Sequence, residues 1–179
     1  MTTRIAINGF GRVGRLFYRQ AAHREDLEVV AINDLGDTEN LAYLLKYYSV
    51  YGTFRGEIAV DKNANTITVE GHTSKVLQVK DPTQLPWNDL QIDIVVEATG
   101  LYESFEKAKV HLDAGAKHVV LTAPAKDDEG VAGGKTILMG INDAALSTCP
   151  ISSNASCTTN SAAPVIQILS ENPGIEKAM

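Results

Sequence analysis

The sequence predicts an α/β protein built on an open, doubly wound, mostly parallel sheet, and three observations predict it. A short apolar strand, Arg4 to Asn8, runs straight into Gly9-Phe10-Gly11-Arg12-Val13-Gly14 and then into a helical pattern in which Val13, Leu16, Phe17 and Ala21 recur. A second apolar run, Val29-Val30-Ala31-Ile32, leads to an acidic residue, Asp34, twenty positions beyond Gly14. Strands and helices then alternate along most of the chain.

The glycine spacing between strand and helix is the fingerprint of a Rossmann-type dinucleotide site. Gly9 permits the tight turn, Gly11 lets a pyrophosphate approach the backbone, and Gly14 lets helix and strand pack closely. The helix N-terminus aims free N–H groups and a positive dipole end at the phosphates. Asp34 stands where a carboxylate meets an adenosine ribose. Ligands in such sheets bind at the carboxyl ends of the strands. Asn8-Gly9, Asn33-Asp34, Thr99-Gly100 and Thr122-Ala123 all fall at predicted strand ends and are expected to line one crevice.

The remaining elements follow in order. Leu27 to Asn33 is the second strand. Glu39 to Tyr47 reads as a helix, with Thr38 as its cap. Phe54 to Val60, Thr66 to Val69 and Lys75 to Val79 read as short strands joined by turn-forming residues, a small antiparallel insertion in the βαβ pattern. Ile92 to Glu97 is almost free of polar residues, as a parallel strand covered on both faces should be. Phe105 to Ala114 is a helix with Gly115 at its C-terminal cap. Val119 to Thr122 and Ile137 to Met139 are the last predicted strands, on either side of a polar, Gly-rich loop from Asp127 to Gly134.

Composition narrows the function. The 179 residues are 44% hydrophobic and 21% charged, enough for one globular domain or one domain plus part of another. A net charge of -6 argues against a nucleic-acid or anionic membrane surface as partner. No apolar run reaches the length of a membrane span. Two cysteines make no disulfide framework, and the N-terminus lacks a signal-peptide layout, so the cytoplasm is the expected location. No cluster suggests a metal site.

A second centre lies at Ser152-Ser-Asn-Ala-Ser156-Cys157-Thr158-Thr-Asn160. The apolar stretch Ala162 to Leu169 follows it, a kinked helix or two pieces on account of Pro164. Either way Cys157 lies near a helix N-terminus, where a thiolate nucleophile is favoured and backbone N–H groups can stabilise an oxyanion. A buried structural cysteine beside a Ser/Thr cap reads equally well from local chemistry. Cys149 has no comparable setting and is taken as structural. The four histidines, His23, His72, His111 and His118, share no motif with Cys157 and are expected at the solvated surface.

Both centres together resemble the phosphorylating glyceraldehyde-3-phosphate dehydrogenases. The matching stretches are Ile7 to Arg15, Ile32-Asn-Asp-Leu35, Glu97-Ala-Thr-Gly100, Ala114 to Val120 and Ser153-Asn-Ala-Ser-Cys-Thr-Thr-Asn160. The resemblance implies NAD-dependent aldehyde oxidation, with attack by Cys157, hydride transfer to the nicotinamide, and cleavage of the thioester by inorganic phosphate to give 1,3-bisphosphoglycerate. It places Arg12 and Val13 at the pyrophosphate, Asp34 at the ribose, Lys80 beside the adenine, Thr122 near the nicotinamide, and Ser156 and Thr158 at the substrate. Asn8, Gly9, Phe10, Gly11, Gly14, Thr99 and Gly100 complete the expected cofactor site. The implied partners are a phosphorylated aldehyde, inorganic phosphate and further copies of the chain, since the family forms tetramers.

Tyr48 and Tyr51 depart from a family Asp and His, and Ser161 from a frequent second cysteine. The family is also nearly twice as long. Residues 1–153 are therefore expected to form the NAD-binding domain, and 154–179 to begin a catalytic domain whose other residues supply the base and phosphate ligands. An erythrose-4-phosphate dehydrogenase portion and a stand-alone NAD-binding module are the alternatives.

Overall fold

The computed structural model describes residues 2–177. Its strands are β1 (Thr3–Asn8), β2 (Leu27–Asn33), β3 (Tyr47–Tyr48), β4 (Gly52–Thr53), β5 (Ile58–Asp61), β6 (Thr66–Val69), β7 (His72–Leu77), β8 (Ile94–Glu97), β9 (His118–Leu121), β10 (Gly134–Thr136) and β11 (Ile151–Ser153). Its α-helices are α1 (Arg12–Ala21), α2 (Thr38–Lys46), α3 (Phe105–Asp113) and α4 (Cys157–Glu171). Nine strands form one sheet in the order β10-β11-β9-β8-β1-β2-β7-β6-β5, while β3 and β4 pair separately. From β10 to β7 every pairing is parallel, and β6 and β5 add an antiparallel edge. The chain moves outward from β1 through β2, then returns to place β8 on the other side of β1. The winding thus reverses between β1 and β8, where a ligand crevice opens in sheets of this class.

Alternation along β1 builds the core on both faces. Ile5 and Ile7 pack with Phe10, Tyr18, Leu41 and Leu45 beneath α1 and α2. Ala6 turns the other way, into a layer with Trp87, Ile92 and Val95. Phe105 and Ala108 of α3 cover Val119, Leu121 and Ile151. Burial on both faces is what requires the near-continuous apolar run in β8.

Several expected elements shift, each for a local reason. The predicted antiparallel insertion is present, and it extends the main sheet, because β7 pairs in parallel with β2 while also pairing antiparallel with β6, which pairs with β5. Glu70 and Gly71 both take positive φ, the two-residue turn that matches strand twist, so β7 starts at His72 rather than Lys75. Phe54 turns into the core instead of opening a strand, and pairing begins only at Ile58. The last strand expected at Ile137–Met139 ends earlier, as β10. There Leu138 donates its N–H to the Asn142 side chain (2.7 Å) rather than to a neighbouring strand. The three-residue β11, rich in serine, carried no strand pattern. Pro164 lies inside the single helix α4, no side chain of which is buried.

The cap of α2 is also corrected. Thr38 is the first helical residue and is buried, whereas the Asp37 carboxylate accepts N–H bonds from Glu39 and Asn40, both at 3.1 Å. Asp37→Ala is expected to lower stability by about 1 kcal/mol in urea unfolding. An unchanged midpoint would show that the cap is not what anchors this helix.

Candidate functional site

Two cavities meet over the carboxyl ends of the central strands. One, of about 350 Å³, is lined by Asn8, Gly9, Gly11, Asn33, Asp34, Lys80 and Thr99 among others. The other, of about 390 Å³, is lined by Gly11, Arg12, Val13, Glu97, Thr99, Gly100, Tyr102 and Thr122 among others. Gly11 and Thr99 belong to both, so the two form one crevice crossing the β1/β8 switch point. The strand-end residues named from sequence come together there.

The three motif glycines do different work. Gly9 has φ +93°, and a Cβ there would fall 2.6 Å from the Thr99 backbone nitrogen. A Cβ on Gly14 would fall 2.2 Å from the Gly9 carbonyl oxygen, so this buried glycine sets the approach of α1 to β1. Gly11 is exposed, and a Cβ would meet no protein atom within 4 Å. Its bareness leaves open backbone beside the N-terminus of α1, which suits a pyrophosphate.

Asp34 braces the loop from below. Its carboxylate accepts the Phe10 N–H at 2.7 Å and the Gly36 N–H at 2.9 Å. Each oxygen keeps a further lone pair for a hydroxyl. The Phe10 ring is buried edge-on against Tyr18, so Phe10 reaches the crevice through its backbone. The fold also brings an arginine to this corner that sequence distance had hidden. The Arg15 guanidinium donates to the Phe10 carbonyl at 2.7 Å, and burial lowers its pKa against the pull of Asp34. Lys80 is exposed on the same cavity wall.

Beneath the crevice lies a buried polar network. The Asn33 side-chain amide donates to Asn8 Oδ1 at 2.7 Å and accepts the Val79 N–H at 2.9 Å. Asn8 donates to Glu97 Oε2 at 2.6 Å. Glu97 Oε1 accepts both the N–H (2.8 Å) and the hydroxyl of Thr99. His111 Nε2 lies 2.9 Å from Glu97 Oε2, and the Trp87 indole N–H donates to His111 Nδ1 at 3.1 Å. An indole can only donate, so Nδ1 is the acceptor and the proton sits on Nε2, facing the carboxylate. His111 is therefore neutral. Burial pushes the Glu97 carboxyl up, but the bonds from His111, Thr99 and Asn8 outweigh it and hold Glu97 below the usual range.

This corrects the expected surface position of His111, which is wholly buried. Its signal was the helical spacing Phe105, Ala108, His111, which put it on the inward stripe of α3. His23, His72 and His118 are exposed. Among the described residues, none of the four bonds to Cys157.

Cys157 is exposed and is the first residue of α4. Ser156 caps the helix by accepting the Thr159 N–H at 3.0 Å, and its hydroxyl lies 2.8 Å from that of Thr158. Asn160 ties the turn down through the carbonyls of Asn154 (2.7 Å) and Ser156 (2.9 Å). These residues do not line the crevice. Asn154 instead shares a cavity of about 800 Å³ with Val13 and Thr122, which borders it. Cys149 is buried, and its thiol is pushed up by that burial.

Fold and site define a doubly wound dinucleotide-binding domain followed by an exposed cysteine at the start of a capped helix. Comparison with known proteins narrows the class. Residues 3–105 match the family described as glyceraldehyde 3-phosphate dehydrogenase, NAD binding domain. The chain is 49% identical to glyceraldehyde-3-phosphate dehydrogenase of Thermotoga maritima, covering 98% of the chain and 52% of that protein. It is 44% identical to cytosolic glyceraldehyde-3-phosphate dehydrogenase of Trypanosoma brucei brucei (100% and 52%) and 46% identical to glyceraldehyde-3-phosphate dehydrogenase of Haemophilus influenzae (100% and 51%). The chain belongs to the glyceraldehyde 3-phosphate dehydrogenase family, carries its NAD-binding domain, and has NAD as its cofactor. It spans about half the length of the curated relatives it matches.

The glycines give a direct test. Gly14→Ala is expected to destabilise the fold by 1–3 kcal/mol, about the cost of overpacking. Gly11→Ala should melt within about 1 kcal/mol of the parent while weakening NAD binding at least tenfold, or roughly 1.4 kcal/mol. Thermal melts and calorimetric titration measure both. Unimpaired NAD binding by Gly11→Ala would remove the backbone of this loop from the site.

Proposed function

We propose that this chain supplies the cofactor site and the nucleophile for oxidation of a phosphorylated aldehyde, glyceraldehyde 3-phosphate before erythrose 4-phosphate. The observation that carries the reading is the pairing of the Asp34 crevice with an exposed Cys157 at the first position of a capped helix. Asn8, Gly9, Phe10, Gly11, Arg12, Val13, Gly14, Thr99 and Gly100 form the floor and pyrophosphate loop. Asp34 receives the adenosine ribose, Lys80 flanks the adenine, and Thr122 borders the nicotinamide half. When bound, NAD supplies the hydride acceptor. Cys157 attacks the aldehyde carbon, and the N–H groups at the start of α4 face the developing oxyanion. Ser156 and Thr158 hold the substrate. Inorganic phosphate resolves the thioester.

In this reading residues 1–153 are the cofactor domain, and 154–179 open the catalytic one. The names of the relatives support dehydrogenation of glyceraldehyde 3-phosphate and, in two of them, a cytosolic setting; the family resemblance adds glycolysis and homo-oligomers. A polypeptide of these 179 residues alone is expected to bind NAD with negligible turnover. Among the described residues none supplies Cys157 with a base, and a positioned base contributes ~10²–10⁴-fold. Assays following NADH absorbance, with Cys157→Ser as the blank, test this. Turnover within tenfold of the ~10 s⁻¹ of ordinary enzymes would contradict it.

NAD is expected to bind more tightly than NADP, because a 2′-phosphate would meet the Asp34 carboxylate and Arg15 is already committed to the Phe10 carbonyl. Calorimetric titration with both cofactors decides it. Tighter NADP binding would overturn the assignment, and Asp34→Ala should narrow the difference.

Iodoacetamide is expected to label Cys157 well before Cys149, whose thiol is buried and directed at the Leu146 carbonyl (3.6 Å). Peptide mapping over time reads the order. Preferential labelling of Cys149 would rule out the assigned nucleophile.

A further inference from the structure

We propose that the buried Glu97 carboxylate selects the redox state of the cofactor, favouring the cationic oxidised nicotinamide over the neutral reduced ring. The inference rests on the cofactor reading above. With the adenosine ribose at Asp34 and the pyrophosphate at Gly11, the remaining half of the crevice is the cavity over β8 and β9. Glu97 lines that cavity, with only 2% of its side chain exposed.

The charge of Glu97 is satisfied but not neutralised. Its donors are the Thr99 N–H and hydroxyl, the Asn8 amide and His111 Nε2–H, four neutral groups. Trp87 keeps the imidazole neutral by occupying Nδ1, the position that would have to take a proton for His111 to become a cation. Trp87 and His111 are thus positioning residues that preserve the anion. The other groups around the network do not cancel it. Tyr102, whose ring centroid lies 6.0 Å from that of His111, stays a neutral phenol, its pKa raised by burial and by Glu97 and Asp81. Glu103 lines the same cavity but is paired with Lys126 at 2.6 Å. Arg12 stands exposed at the rim, on the pyrophosphate side.

A buried anion is screened far less than a surface one. The oxidised ring carries a positive charge, which reduction by hydride removes. The carboxylate therefore holds the oxidised form and relaxes its hold once the ring is neutral.

The test compares dissociation constants for NAD⁺, NADH and ADP-ribose, the last lacking the nicotinamide. In the parent protein the NADH/NAD⁺ ratio should show weaker binding of NADH than of NAD⁺, and an equal or tighter grip on NADH would overturn the proposal. Glu97→Gln should lower that ratio about fivefold, the scale of one buried charge acting across partly hydrated protein, and leave ADP-ribose binding unchanged. Trp87→Phe frees Nδ1 to take a proton, so its ratio should fall toward that of Glu97→Gln with ADP-ribose binding unchanged. If Glu97→Gln fails to bind ADP-ribose through misfolding, the ratio in Trp87→Phe decides. Ratios that move in neither variant, with ADP-ribose bound normally, would overturn the proposal. Failure of the parent to bind ADP-ribose would instead overturn the reading of the crevice.

Discussion

The Trp87–His111–Glu97 relay is the interaction on which the centre of this molecule depends. It joins the loop before β8, the inward face of α3 and the end of β8, and through Asn8 and Asn33 it reaches β1 and β2. Three strands that are distant in sequence are held level at their carboxyl ends by side chains, where the backbone ladder gives out. Every buried polar side-chain atom among the described residues has a partner, so the network stabilises rather than strains the core. Removing one member would leave its partner unpaired in a dry site, which costs more than the lost bond itself is worth.

Above this platform the glycine loop needs little of its own. Gly9 and Gly14 are bare so that β1, α1 and the Thr99 turn can interlock, whereas Gly11 is bare toward open space. Asp34 fixes the same loop through the Phe10 N–H and still faces the crevice with free lone pairs. One carboxylate therefore braces the loop while remaining available to a ribose. The exposed helix α4 lies apart from this economy. Val165, Ile166, Ile168 and Leu169 are each 45% exposed or more, and the organisation of α4 comes from its cap and its Asn160 tie rather than from packing.

What the sequence disclosed follows the range of the interactions involved. The βαβ start, the crevice residues and the helix at Cys157 were legible because each is written in a local pattern: an apolar run, a glycine spacing, a Ser/Thr cap. His111 was misplaced because its burial rests on Glu97 and Trp87, 14 and 24 residues away, and a lone histidine on a helix resembles a surface one. The antiparallel insertion was legible from its turn residues, but nothing local tells β7 that its second neighbour is β2. Arg15 is likewise brought to the Asp34 corner only by the fold. Thr38 and Asp37 are adjacent and both able to cap, and the choice fell to burial of the threonine.

The central claim is that a neutral imidazole, held in one tautomer, supports an uncompensated buried carboxylate. Nitrogen-15 chemical shifts of the His111 ring test it most directly. The account requires an unprotonated Nδ1, facing the Trp87 indole, and a protonated Nε2, facing Glu97. Two protonated nitrogens, or the opposite tautomer, would contradict it.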